Sequence, residues 1–134
     1  MLASAIALLT ALTKLNISEN DVGTSGAASL ASALSHLSRL ADLDLSENSL
    51  GAAGAAALAP ALGRCTALMR LNLQHNSVGD DGLQHLAPAL ARLTGLRDLH
   101  LSANGAHDSA VDALRDRLPA SVWEATDLHL ERHG

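Results

Sequence analysis

The chain has no Phe, no Tyr and a single Trp, Trp123. A core built on aromatic rings is therefore excluded, and Leu and Ala must do nearly all the filling. Evenly sized residues of that kind suit a stack of similar layers better than an irregular globule. Cysteine occurs once, at Cys65, so no intrachain disulfide can form and the disulfide-stapled secreted scaffolds drop out. The same single thiol points to a reducing, cytoplasmic compartment. Basic residues are in deficit, nine against fourteen acidic ones, for a net charge of −5. Without a basic stripe to neutralise phosphates, or aromatics to stack on bases, nucleic acid is not an expected partner. An anionic membrane surface is disfavoured on the same electrostatic ground. No purely apolar run of about eighteen residues predicts a membrane span. The opening MLASAIALLTALTKL resembles a signal peptide only superficially, because it lacks early basic residues and a persuasive cleavage site.

What the chain does contain is a repeat. Its 134 residues are enough for one domain, and 48% of them are apolar. Leu12, Leu40, Leu68 and Leu96 recur at a constant interval, every twenty-eighth position. So do Leu15, Leu43, Leu71 and Leu99, and Ile17, Leu45, Leu73 and Leu101. Asn20, Asn48, Asn76 and Asn104 follow at the same interval. In the second half of each unit, Val22, Leu50, Val78 and Ala106 form one column. Gly23, Gly51 and Gly79 form the next, broken by His107, and Gly26, Gly54 and Gly82 another, replaced by Ala110. Further columns are Leu30, Leu58, Leu86 and Leu114, then Leu34, Leu62, Leu90 and Leu118, and finally Leu37, Cys65 and Leu93. Agreement of so many columns at one period is a specific signal of a repeat architecture.

The spacing within a unit assigns structure. Alternation in L-x-L predicts a half-buried strand. From the second Gly onward, apolar positions three and four apart predict an amphipathic helix. The Asn between them carries donors and acceptors that can satisfy its own turn and the neighbouring coil, so stacked Asn residues predict a buried ladder. Glycines allow the tight turns, and Thr24, Asp80 and Asp108 are predicted helix N-caps. Pro60 and Pro88 fall inside predicted helices, where a proline costs roughly 3 kcal/mol in a regular interior, so those helices are expected to kink or end early. One unit cannot bury its own leucines; each coil covers the next, and narrow strands opposite wider helices make the strand face concave.

The motif L-x-x-L-x-L-x-x-N-x-[LV]-G-x-x-G-x-x-x-L-x-x-x-L, as it stands from Leu40 to Leu62, resembles the ribonuclease-inhibitor subclass of leucine-rich repeats. The resemblance covers nearly the whole chain. It implies an α/β fold: a right-handed horseshoe solenoid with parallel strands on the concave face and helices on the convex face. The expected organisation is one domain over 1–134, with a partial repeat at 1–11. Repeats follow at about 12–39, 40–67, 68–95 and 96–124, and a terminal strand at about 125–134. Leu128 and Leu130 follow Leu99 and Leu101 at an interval one position longer than the period. Ala120–Glu124 therefore reads as an altered connection and Asp127–Glu131 as a final edge strand. Leu2, Ile6 and Leu9 precede Leu30, Leu34 and Leu37 by one full period. They read as the helix of a unit lacking its strand, which suggests a chain cut from a longer protein.

The resemblance also implies a non-enzymatic module that binds another protein, as in ribonuclease inhibitors and the sensor regions of NOD-like receptors. Residues between the leucines point away from the core. The expected contact rows are Lys14, Asn16, Ser18; Asp42, Asp44, Ser46; Arg70, Asn72, Gln74; Asp98, His100, Ser102; and Asp127, His129, Glu131. Two cations, Lys14 and Arg70, stand there against five acids, so the fitting partner carries a basic patch. The plainer alternative is a solvated sheet face, with binding through helices or loops. A second functional class is a regulator of a small GTPase, since Ran GTPase-activating proteins resemble this subclass. It would need an Arg such as Arg70 or one on a strand-to-helix loop, and the loops offer none. Inhibition of ribonuclease itself matches poorly, because that family is rich in Cys and Trp.

Motifs for chemistry resolve into structure. Cys65 shares the column of Leu37 and Leu93 and is expected to be a buried core thiol. His100 and His129 fall side by side with Asp127 near, a metal-compatible set whose plainer reading is a surface pair. His129-Leu-Glu-Arg-His133 misplaces the Glu of a zinc-protease motif. Gly51-Ala-Ala-Gly54 lacks the Lys-Ser or Lys-Thr of a phosphate loop. Asp80–Asp81 reads as a helix start, and the sequon Asn16-Ile-Ser18 lies on a predicted strand. No catalytic, cofactor or metal site is expected.

Overall fold

The computed structural model describes residues 10–118 and the backbone of residues 127–129. The expectations for the leading partial helix and for Ala120–Glu124 lie outside the described residues. Strand and helix alternate throughout: β1 (Lys14–Asn16), α1 (Gly23–Leu34), β2 (Asp42–Asp44), α2 (Gly51–Leu62), β3 (Arg70–Asn72), α3 (Gly79–Ala91), β4 (Asp98–His100), α4 (Asp108–Arg117) and β5 (Asp127–His129). The strands form one parallel sheet in chain order. Leu15, Leu43, Leu71 and Leu99 are register partners from strand to strand, as the period of the sequence requires. Leu128 continues the column against Leu99, so the extra residue falls before β5 and the register absorbs it. Strands stack about 4.8 Å apart and helices about 8–10 Å. The sheet is therefore the inner, concave wall of a solenoid and the helices are its outer wall.

The core follows the columns. Leu40, Leu43, Leu45, Leu58, Leu62, Leu68, Leu71, Leu90 and Leu99 are fully buried. Small residues close the helix side of the layer: Ala27, Ala33, Ala55 and Ala87 are buried too. Each such leucine cut to Ala would cost about 2–5 kcal/mol, because neighbouring coils cannot collapse into the gap independently.

The asparagine ladder is the polar seam of the stack. Asn48, Asn76 and Asn104 are buried. The Asn76 Oδ1 accepts from the Asn48 N–H at 2.9 Å and the Leu50 N–H at 3.4 Å in the preceding unit. Its Nδ2 donates to the carbonyls of Leu45 (2.9 Å), Leu73 (3.1 Å) and Gln74 (3.2 Å). Asn48 and Asn104 repeat these contacts. Asn20 departs from the expectation. It is exposed, and among the described residues its side-chain amide bonds only the carbonyl of Ser18.

Three further expectations are corrected. In the first three units the helices begin at the first Gly, and Val22, Leu50 and Val78 stand at the N-caps with no side-chain cap bond. The Thr24 hydroxyl instead donates to the Leu50 carbonyl, 3.1 Å away in the next coil. Asp80 and Asp108 lie within the first turns of α3 and α4, not at the caps. The helices also do not stop at their prolines. Pro60 sits inside α2, which runs on to Leu62, and Pro88 inside α3, which runs on to Ala91. Both prolines are exposed and close to a helix end, so water can serve the carbonyl that each leaves without its helical donor.

The turns are also not made by glycine alone. Glu19, Glu47, His75 and Ala103, and then Asp21, Ser49 and Ser77, have φ between 53° and 57°. Left-handed backbone at a non-glycine residue persists only when its surroundings fix it. For Asp21, Ser49 and Ser77 the Asn ladder does so, by binding the amides on either side of each.

Candidate functional site

Two ordered rows of residues cross the inner face. The first runs Lys14, Asp42, Arg70, Asp98 and, by backbone register, Asp127. The second runs Asn16, Asp44, Asn72, His100 and, again by register, His129. Ser18, Ser46, Gln74 and Ser102 follow just beyond the strands. Glu131 lies outside the described residues.

The first row is an ion-pair chain. The Arg70 guanidinium is 3.5 Å from Asp42 through Nη1 and 3.1 Å from Asp98 through Nε. The other oxygen of Asp98 lies 2.9 Å from His100 Nε2. The Arg70 side chain is 61% exposed, so each pair adds at most about 1 kcal/mol to stability. The main effect is orientation, because Arg70 is held between its two neighbours. Lys14 makes no ion pair among the described residues, and neither does Asp44.

The second row is locked from the backbone. Asp44 Oδ1 accepts from the N–H and the hydroxyl of Ser46, at 3.0 and 2.7 Å. Asn16 takes the same two bonds from Ser18, and Asn72 accepts from the Gln74 N–H. Gln74 in turn donates to the Ser102 hydroxyl at 2.7 Å. These short-range turns hold the side chains in fixed rotamers, which lowers the entropy lost when a partner docks. Between the first strands lies a shallow depression of about 520 Å³, lined by Lys14, Leu15, Asn16, Asp42, Asp44 and Arg70.

Sequence reasoning gave these residues their face but missed their pairing. Asp42, Arg70 and Asp98 are separated by exact single periods, and that spacing alone makes Arg70 the neighbour of both acids. It also missed Met69, which is 44% exposed just before β3 and is the one large hydrophobic exposed among the described residues. Its column, Thr13, Ala41, Met69 and Arg97, varies freely, which was the available signal.

Cys65 is 1% exposed. Its Sγ lies 3.5 Å from the Ala61 carbonyl and 3.7 Å from that of Leu34. Burial pushes its pKa up to about 11, so at neutral pH it is a protonated core thiol, which does not suit a nucleophile. Among the described residues no three His, Cys, Asp or Glu side chains converge as a metal site. No described helix is long and apolar enough to cross a membrane.

The stacked strand–helix coils, in-register leucine columns and buried asparagine seam define a right-handed solenoid of the ribonuclease-inhibitor-like type. The family described as "Leucine Rich repeat" matches residues 9–31, 36–59 and 64–87, more than half of the sequence. The chain belongs to the leucine-rich-repeat family. No curated protein sequence matches it. Among solved structures, leiomodin-1 actin-binding site 2 superposes with a TM-score of 0.76 at 16% identity, over 98% of this chain and 77% of that one. The tropomodulin C-terminal domain of Caenorhabditis elegans gives 0.71 at 14% identity, over 98% and 83%. At such identities the likeness establishes the fold alone.

Proposed function

We propose that the chain is a non-enzymatic module that binds a protein partner on its inner sheet face, in a scaffolding or regulatory role, and that the partner contributes Lys or Arg. The observation that carries this reading is the pair of acids on β2. Asp42 and Asp44 stand on one face of one strand, with Asp44 held by Ser46 and without a cationic partner among the described residues. Opposite charge from a partner would complete the row. The remaining contact positions are Lys14, Asn16, Arg70, Asn72, Gln74, Asp98, His100, Asp127 and His129. No cofactor enters this reading, and the expected compartment is cytoplasmic.

Peptide display against the purified chain tests it. Lys- or Arg-bearing sequences should be enriched. Asp42→Arg combined with Asp44→Arg should weaken the best of them at least tenfold, while Gln84→Arg on the outer face of α3 leaves binding unchanged. Unchanged affinity in the double variant rejects the inner face as the contact surface. The leiomodin neighbour, whose structure carries the words actin-binding site, supplies actin as the first protein to try in co-sedimentation. The GTPase-activating alternative is weakened by geometry. Arg70, the arginine on the described inner face, is held between two carboxylates and is not extended for delivery to a phosphate.

A further inference from the structure

The charges of the inner face are not evenly satisfied. Arg70 is 3.1 Å from Asp98 and 3.5 Å from Asp42, so the middle of the first row neutralises itself. Lys14 on β1 and Asp44 on β2 stand outside that chain, each without an ion pair among the described residues. Both line the depression of about 520 Å³ at the β1–β2 end of the sheet. Its hydrogen bonds give it a direction. Asn16 Oδ1 accepts from the N–H and the hydroxyl of Ser18, at 2.9 and 2.7 Å. An N–H donor there fixes which end of the carboxamide is oxygen, so Nδ2 keeps its two hydrogens for another acceptor. Asp44 uses Oδ1 on Ser46 and leaves Oδ2 open. The β1 wall therefore offers donors, an ammonium and an amide, and the β2 wall offers a carboxylate oxygen.

We propose that this depression takes the free C-terminal residue of a protein or peptide ending in Arg or Lys. Its carboxylate lies on Lys14 and Asn16, and its side-chain cation on Asp44. The proposal rests on the inner-face reading above and narrows the partner to its last residue. Charge complementarity chooses this occupant, because the depression needs an anion over one strand and a cation over the next. Lys14 is the register partner of Asp42, and Asn16 of Asp44, so Lys14 and Asp44 are diagonal neighbours. Strand spacing and rise put their backbone positions about 8 Å apart. From ordinary bond lengths, the carboxylate and the cation of a C-terminal Lys or Arg are about 7 Å apart. A single terminal residue thus spans both walls, and fewer rotors are frozen than when two internal residues supply the charges. Asp42 gives secondary support only, since Arg70 already draws on it. The Ser18 and Ser46 bonds hold Asn16 and Asp44 ready before the ligand arrives.

Fluorescence anisotropy of the whole chain with Gly/Ser peptides ending in Arg, labelled at the N-terminus, tests the proposal. The free acid should bind, and the C-terminal amide of the same peptide about tenfold more weakly. Lys14→Gln should weaken the free acid by a similar factor and abolish the difference between acid and amide. Asp44→Asn should weaken both forms. It keeps the oxygen that Ser46 binds, and Asn16 and Asn72 already make that turn in their own strands, so the variant is expected to fold. His85→Ala, on the exposed outer surface of α3, should change nothing. Thermal melts report whether each variant folds. Equal affinity for acid and amide overturns the proposal and leaves the inner-face reading standing, with an internal Arg or Lys as the contact. A free acid that does not bind overturns it as well. So does free arginine binding as tightly as the peptide, which would make the depression a small-molecule site. Binding untouched by both Lys14→Gln and Asp44→Asn rejects the inner-face reading along with it.

Discussion

Replacing Asn76 with Ala should destabilise the fold far more than the same change at Asn20, and the difference can be worked from the hydrogen bonds. The Asn76 carboxamide serves five backbone groups. Two are N–H donors of the preceding unit, at 2.9 and 3.4 Å, and three are carbonyls at 2.9, 3.1 and 3.2 Å. Its two amide hydrogens must be shared among the three carbonyls, and the 3.4 Å contact is long, so about three full hydrogen bonds is the fair count. At about 1 kcal/mol net each, with a further ~1 kcal/mol for leaving the buried Asn48 N–H without an acceptor, the loss is about 3–5 kcal/mol. A domain of this size has only about 5–15 kcal/mol in total. Asn20 is exposed and its side chain donates one bond, to Ser18, which water can replace. Its loss should cost under about 1 kcal/mol. Urea denaturation followed by far-ultraviolet circular dichroism reads both values. Equal midpoints for the two variants, or a drop of under about 1 kcal/mol for Asn76→Ala, would refute the view that the ladder holds the coils together.

Other expectations follow from single contacts. Alanine normally improves a helix over glycine by about 1 kcal/mol, yet Gly82→Ala should lose about 1–3 kcal/mol, because a Cβ there would lie 2.5 Å from the Cβ of Val78; a higher melting temperature would contradict this. Cys65 should resist thiol reagents in the native state and react on unfolding. Its pKa is raised from 9.0 to about 11, so its contribution to stability is full below pH 9 and is lost as pH rises toward about 11. The chain has no Tyr and one Lys, Lys14, so few other groups titrate there, and Cys65→Ala should flatten that slope. Asp80 is held below the usual carboxylate range, first by the His107 N–H and then by the His107 ring. That contribution is present above the ordinary Asp pKa and lost as pH falls through the lowered one, so the protection of the His107 amide relative to its intrinsic exchange rate should fall in acid, and in Asp80→Ala at neutral pH.

What the sequence made legible is whatever the period dictates. Leu43, Leu71 and Leu99 had to align because each is the same step of the same coil, and an in-register sheet followed with every inner-face residue assigned to its row. The buried asparagines were legible for the same reason, as was Cys65 as a core thiol. The caps were not, because Thr24 and Asp80 carry the composition of an N-cap while their acceptor or donor lies in another unit, which no local rule describes. Nor were the left-handed residues, since Glu19, Glu47 and Ala103 have nothing in common except a place in the turn. The N–H groups of Glu19 and Glu47 donate to the Ser46 and Gln74 carbonyls of the next coil, so the neighbouring coil and not their own preference sets that backbone. The ion-pair chain over Asp42, Arg70 and Asp98 was implicit in the spacing, but it emerges only when side-chain reach is added to register.

The last unit shows why a broken column carries information. In the first three units, the N–H of Gly23, Gly51 or Gly79 donates to the carbonyl of the next asparagine: Asn48, Asn76 or Asn104. The fourth unit has His107 at this position and no asparagine after it in the frame. Its backbone turns extended, with φ −80° and ψ 159°, where the glycines have φ between 65° and 67°. Helix α4 then starts one residue later than the frame would place it, at Asp108. The His107 N–H finds its acceptor backward, on Asp80 at 2.7 Å, and the ring takes the other carboxylate oxygen at 2.9 Å. A glycine in this place would keep the turn but lose the ring contact, so the substitution and Asp80 work as a pair. His107→Gly and Asp80→Ala should therefore be non-additive in denaturation, the double variant costing less than the sum of the single ones. Strict additivity would mean that the two residues act separately and that the backward bond does not secure the end of the stack.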